Sequence, residues 1–210
     1  MIPVNMSDTH ELLKQELLLL HTKWHFFTTL YCTSDENIAL LDNSAQLFFV
    51  ILGDILRDDI IVSVCAITDP ASSRVRGLDR NNLSLAYLNS LIPAGDAPLI
   101  KQTTQLLGNA KASWESFRDH RNCRIAHRDL ESVLKKSDEL IPTITISNVD
   151  AALANIGDIL NAIEVFYNGR GTKYQRIYGT GDANDLLEFL SRSFELKKYY
   201  NHKEFGWPLE

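Results

Sequence analysis

The chain has 210 residues, of which 45% are hydrophobic and 23% charged, with a formal net charge of −6. That composition is ordinary for a soluble globular protein long enough to bury a core, most economically as one domain. The negative balance argues against a protein that coats nucleic acid non-specifically, which needs a positive field, but it leaves room for a local basic patch.

The dominant period is 3.6. Leu13, Leu17, Leu20, Trp24, Phe27 and Tyr31 recur at alternating spacings of four and three, which places them on one stripe of a first helix with Ser7 as its expected N-cap. A second helix is predicted from Ser34 to about Thr68, burying Ile38, Leu41, Ala45, Phe48, Leu52, Ile55, Ile60 and Val64 and ended by Asp69-Pro70. Its length suggests a kink near Asn43-Ser44 or Gly53. Residues 70–81 (PASSRVRGLDRN) read as a polar loop. A short helix follows with Leu85, Leu88 and Ile92 on one side and Pro93 as its stop. From Pro98 a long helix carries Leu99, Thr103, Leu106, Ala110, Trp114 and Phe117 straight into Arg121.

Residues 129–146 are less regular, and the weak alternation of Thr143–Ile146 has no partner strand in view. Ser147 with Asp150 resembles a capping box for a helix carrying Leu153, Ile156, Leu160, Ile163 and Phe166. Gly169–Gly181 is a glycine-containing connector, and Asp182 is expected to cap a last helix with Leu186, Leu187, Leu190 and Phe194. With no alternation of strands and helices, the expected fold is all-α, an antiparallel helical bundle with long helices and a C-terminal helical extension. It is read as a single domain over 1–210, with a core at about 8–168 and the connector and last helix at 169–210. Trp24 and Trp114 fall on apolar stripes and read as core.

Three cysteines, Cys32, Cys65 and Cys123, form no CxxC pair. Cys32 and Cys65 lie in apolar helical patterns, where a free thiol behaves as a small hydrophobe. A reducing, cytoplasmic setting is the expectation. The N-terminus lacks the basic and apolar regions of a signal peptide. No stretch approaches the roughly 20 apolar residues of a membrane span, so no membrane partner is expected.

Chemistry concentrates at residues 118–128, RDHRNCRIAHR, where Arg118, Arg121, Arg124 and Arg128 are joined by His120 and His127. Four arginines in eleven residues, out of 21 Lys plus Arg in the chain, make an anion site on an acidic body. Arginine meets phosphate with a planar, always-charged fork, and histidine exchanges protons near neutrality. RNA cleavage needs both: a base for the 2′-hydroxyl proton, an acid for the leaving 5′-oxygen, and cations for the charge that develops between them. Arg121 continues the inner stripe of its helix, so its charge needs a partner or a site. On an unbroken α-helix His127 lies about 9 Å along and roughly 120° round from it. Either the helix breaks near Asn122–Arg124, or a second copy completes the site; a symmetric dimer that places both motifs in one cleft is the preferred reading.

Plainer readings stand beside this one. The run can be a helix C-terminus decorated by cations, which the macrodipole favours. Arg124 can pair with Asp129 or with an acid on a neighbouring helix. Arg118 and Arg128 read as solvated or RNA-steering, and His120 as a second proton carrier or a surface residue. Elsewhere, His21 and His25 have the i, i+4 spacing of a zinc pair without further ligands, near His10, Glu11 and Glu16. Asp54, Asp58 and Asp59 read as a solvated face or as partners for arginines. The segment GRGTKYQRIYGTG, with Lys173 and Arg176 among tyrosines, has a modest pattern for stacking single-stranded RNA but reads more simply as an exposed connector. No metal and no cofactor is expected.

The run Arg121-Asn122-(four residues)-His127 is similar to the R-x(4–6)-H signature of the HEPN superfamily, including the polar residue that often follows the arginine. A leading helix with Trp24, a second helix ending in IVSVCAITD, then NNLSLAYL and FRDHRNCRIAHRD together resemble the AbiU-type abortive-infection HEPN proteins of bacteria, over about residues 15–168. The resemblance implies an antiparallel helical bundle, commonly a homodimer, and in active members a metal-independent endoribonuclease acting as a toxin or anti-phage effector. By that likeness Arg121 orients and neutralises the scissile phosphate, His127 acts as acid or base, and Asn122 holds the phosphate or its neighbours. Arg118, Arg124, Arg128 and His120 are the RNA- or phosphate-binding surround. RNA and a cognate antitoxin such as a nucleotidyltransferase are the implied partners. Since activity does not follow from fold, the alternative is a non-catalytic HEPN-like dimer binding RNA, nucleotide or a protein partner.

Overall fold

The stripe of leucines that begins at Leu13 extends further back than its pattern shows. In the structure, a computed structural model that describes residues 1–126, 143–175 and 181–201, helix α1 spans Val4–Tyr31. Its first turn is anchored on Pro3, whose carbonyl accepts from the Met6 and Ser7 amides, so Ser7 lies inside the helix and is not its cap. Helix α2 follows at Asp35–Ile67, then strands β1 (Ser72–Val75) and β2 (Leu78–Asn81), and α3 (Leu85–Ser90). Helix α4 (Ala97–His120) runs directly into a π-helical segment at Arg121–Ala126, and α5 (Ile146–Asn168) and α6 (Ala183–Asn201) complete the order. The fold is all-α, with one two-stranded hairpin among the described residues. None of the described helices is long and apolar enough to cross a membrane.

The chain divides into two compact units, residues Met1–His21 with Asp58–Ile177, and Thr22–Arg57 with Tyr178–Glu210. The first is built on α4 and α5, which pack along each other with α3 against both. Leu99, Ala110, Trp114 and Phe117 from α4 are buried, as are Leu153, Ile156, Leu160 and Ile163 from α5. Met6, Leu13, Leu17 and Leu20 of α1 and Ile60, Ile61, Val64 and Cys65 of α2 add to this core. Each of the leucine, isoleucine, valine, methionine and phenylalanine side chains among them contributes roughly 1.5–3 kcal/mol of transfer free energy. Polar ties fix the register: Lys14 Nζ reaches Glu164 Oε1 at 3.1 Å, and a His10 ring nitrogen lies 3.3 Å from the Leu160 carbonyl. The α5 cap is Thr145 with Asn148, a reciprocal capping box two residues earlier than Ser147.

Over its described residues 169–175 the connector after α5 is exposed, as expected, except at Thr172 and Tyr174. Gly169 closes the helix in the left-handed region at φ 72, and Asn161 clamps Thr172 by accepting from its amide at 2.7 Å and donating to its carbonyl at 3.1 Å. That clamp turns Tyr174 inward to 2% exposure, stacked on His21 with ring centroids 6.5 Å apart. Tyr174 is therefore core and presents no face for base stacking. Lys173 is exposed, and Arg176 lies outside the described residues.

Buried histidines give this unit a pH dependence of definite sign. Burial lowers both His10 and His21 below the ordinary value of 6.5. Between the lowered value and 6.5 the unfolded chain binds protons that the folded chain does not, so stability falls as pH drops through 6.5. The urea midpoint is expected to fall between about pH 7.5 and about pH 5.5, with a shallower fall in His21→Phe. A flat profile across that range would refute the burial of both rings. Glu164 acts in a different window. Burial works to raise its carboxyl, but hydrogen bonds from Thr172 and Lys14 outweigh it and hold the group below 4.5, so its contribution is lost only at still lower pH.

In the second unit Leu30, Leu41, Phe49 and Ala183 form a small core flanked by Phe26, Tyr31, Leu52, Leu187 and Leu190. Asp182 caps α6 by accepting from the Asn184 and Asp185 amides. Helix α2 is kinked at Ala45 (φ −159, ψ 70). The Asn43 amide and the Ser44 hydroxyl bond back to the carbonyls of Ala39 and Leu40, the competition with the backbone that bends helices. The kink resets the helical phase, so Phe49 is buried at 6% exposure while Phe48, expected inside, is 60% exposed, and Ala45 and Ile55 face outward as well. Cys32 also departs from expectation, being exposed just beyond α1.

Candidate functional site

Arg118 of α4 and Arg121, the residue that follows this helix, meet Thr68 and Asp69 just beyond the end of α2. Thr68 is the residue after α2, and its hydroxyl returns to the Val64 carbonyl at 2.8 Å. Arg118 donates through one terminal nitrogen to the Thr68 carbonyl at 2.6 Å and to the Thr68 hydroxyl at 3.1 Å. A cation placed on the last carbonyls of a helix satisfies orphan acceptors and opposes the negative end of the macrodipole. Arg118 and His120 stand in the last turn of their own helix, and Arg118 in addition decorates the end of α2.

Three residues further on, Arg121 lies 3.5 Å from Asp69 Oδ1, with 28% and 30% of the two side chains exposed. Its Nε donates to Asn122 Oδ1 at 3.2 Å. A guanidinium carries five donors, and these two contacts engage two of them, one at the limit of hydrogen-bond distance. Among the described residues, Asn122 and Asp69 aim the group through two of its donors. Asp69 was legible only as part of the Asp69-Pro70 helix stop, because nothing local points to a partner 52 residues away. Burial pushes the Cys65 thiol up, against the pull of Arg121 and Arg118, which places both guanidiniums close to the last turn of α2.

His120, the last residue of α4, is buried at 7% exposure, so it is no surface residue. Asn122 is exposed and Cys123 half-buried. The side chain of Arg124 and the whole of His127 and Arg128 lie outside the described residues.

From Arg121 the helix changes character. Residues Arg121–Ala126 adopt the wider π form, whose hydrogen bonds run between residues five apart. The separation of Arg121 and His127 lies outside the described residues. Short π segments are rare and occur often at functional sites, because the inserted geometry re-aims side chains without ending the helix. No group of three or more His, Cys, Asp or Glu among the described residues is placed to hold a metal ion. His25 lies 3.8 Å from Asp182, and Asp54 pairs with Arg57 at 3.0 Å.

An all-α chain with an Arg-Asn pair at the head of a π segment, set against the end of a long second helix, is the class of protein that these observations define. The HEPN AbiU2 family model matches residues 5–193, and the chain belongs to that family. Comparison with curated proteins and with solved structures gives no match.

Proposed function

We propose that this protein is a metal-independent endoribonuclease of the HEPN type, acting as a toxin or anti-phage effector in the cytoplasm as a homodimer. The observation that supports this reading is Arg121, partly buried at the head of the π segment and aimed by Asn122 and Asp69. In the proposed reaction His127 serves as base or acid. The 2′-hydroxyl loses its proton and its oxygen attacks phosphorus. The bond to the 5′-oxygen breaks, and that oxygen takes up a proton, leaving a cyclic phosphate and a 5′-hydroxyl. Arg121 and Asn122 hold the phosphate, with Arg118, Arg124, Arg128 and His120 around them. Metal is not needed for this chemistry, because guanidinium and imidazole supply both charge and protons. A toxin of this kind needs restraint, and a nucleotidyltransferase-type antitoxin is the proposed partner.

A second reading is favoured by one observation. Arg118 and Arg121 already serve structural partners at the end of α2, as they would in a non-catalytic HEPN-like dimer that binds RNA, nucleotide or a protein. Incubating the purified chain with RNA, with and without a chelator, separates the two. The nuclease reading expects cleavage in both conditions, lost in Arg121→Ala and His127→Ala while the helical circular dichroism is retained. Intact RNA in every condition, together with harmless expression in cells, would favour the second reading.

A further inference from the structure

Residues 70–82 form something other than the polar loop expected of them. They carry Arg74, Arg76 and Arg80 against Asp79, a net charge of +2 (three arginines less one aspartate) on a chain of net −6. Strands β1 and β2 pair in antiparallel register, Ser73 opposite Arg80 and Arg74 opposite Asp79, and every residue of both strands is exposed. Alternation puts Arg74 on one face of the ribbon and Arg80 on the other, with Arg76 at the tip. The helical arginines Arg57, Arg118, Arg121 and Arg192 are all tied to acids, hydroxyls or carbonyls, whereas these three project from a ribbon in solvent.

Two features mark the ribbon as built. Its turn has positive φ at both central residues, Arg76 at 51 and Gly77 at 80. The second is natural for glycine, but the first position favours Asn, Asp or Gly, so an arginine there is held against its local preference at a cost of roughly 1 kcal/mol. Its root is pinned as well. Asn82 donates through its side chain to the Pro70 carbonyl at 2.8 Å and to Ser73 Oγ at 2.7 Å, and through its amide to the Ala71 carbonyl at 2.9 Å. That root joins directly to Thr68 and Asp69, the residues that touch Arg118 and Arg121.

We propose that the β1–β2 hairpin is an RNA-binding arm, whose Arg74, Arg76 and Arg80 hold the phosphate backbone of a single strand that continues to Arg121. This rests on the reading of Arg121 as a phosphate site. Four residues at about 3.4 Å each make an arm on the order of 14 Å long, enough to extend the positive track beyond the reacting phosphate. Cations on both faces and at the tip suit a flexible polyanion that wraps the ribbon. A folded protein partner would instead use one face, such as that of Val75 and Leu78. The arm also accounts for how an acidic protein gathers RNA, since the attraction is local.

The test is equilibrium binding of a fluorescein-labelled, mixed-sequence single-stranded oligoribonucleotide to the full chain over a range of salt. The triple variant Arg74→Ala, Arg76→Ala, Arg80→Ala is expected to bind at least roughly tenfold more weakly, with a log–log salt slope lower by about 2, since each phosphate contact on a single strand contributes about 0.7. The corresponding triple Arg→Lys variant should keep most of the slope, because charge rather than shape is read. Arg121→Ala should keep the hairpin's share of the slope while losing cleavage. Unchanged affinity and slope in the triple alanine variant would overturn the arm, and so would a wild-type chain that binds no RNA. Hairpin-dependent binding without cleavage would leave the arm standing and remove the nuclease reading. Cleavage and binding indifferent to the hairpin would do the reverse.

Discussion

Arg121→Ala is expected to slow RNA cleavage by on the order of 10²–10³-fold, the usual effect of removing one preorganised donor from a developing anion. The fold should survive. The Arg121–Asp69 contact is long and about 30% exposed, so after solvent screening it contributes no more than about 1 kcal/mol. Arg121→Lys keeps the charge but not the fork aimed by Asn122, and a loss of roughly tenfold is expected. Asp69→Asn is the informative companion. It keeps an amide oxygen at the aiming position beside Arg121 and removes the negative charge that competes with phosphate, so the oligoribonucleotide should bind somewhat more tightly while cleavage changes less than tenfold. Single-turnover cleavage alongside urea unfolding checks all three. Arg121→Ala that cleaves like wild type would remove Arg121 from the chemistry.

The second large effect is on stability. Phe117→Ala should cost about 3–5 kcal/mol, the range for truncating a fully buried aromatic side chain when the surroundings cannot collapse into the void. Phe117 is fully buried on α4, beside Trp114 and one turn before Arg121, and α4 packs along α5 there. Urea unfolding measures the loss directly. It also provides the control for the catalytic variants. Phe117→Ala should lose activity in step with the folded fraction, whereas Arg121→Ala should lose activity with the folded fraction intact. A cost under about 1 kcal/mol would mean that Phe117 is less enclosed than described.

Sequence periodicity carried far where the physics is local. Alternating spacings of three and four identified α1, α4 and α5, and the buried residues Leu13, Leu17, Leu20, Trp114, Phe117, Ile156 and Leu160 all stand on the expected stripes. Asp182 as a cap and Asp69-Pro70 as a stop were legible for the same reason, since each acts on its own neighbours. Phase was lost where a non-helical residue intervened. On the stripe expected of α2, Leu41, Ile60 and Val64 are buried, whereas Ala45, Phe48 and Ile55, at and just after the kink at Ala45, are displaced outward, and Ile38 before it is exposed as well. The hairpin was missed because Arg76-Gly77 is not the Asn-Gly or Asp-Gly that signals such a turn, and because strands exposed on both faces show no apolar alternation.

At the candidate site the same division holds. The sequence by itself determined that a dense cluster of arginine and histidine lies at the end of a long amphipathic helix, and that Arg121, on the inner stripe, had to find a partner. Residue types and helical phase suffice for that. Only the tertiary structure decided that the partner is Asp69, that Arg118 closes α2, that His120 is buried, and that the helix widens at Arg121. Those depend on contacts between segments some 50 residues apart, where the energy of a pair is set by which helices pack together and no local pattern records it.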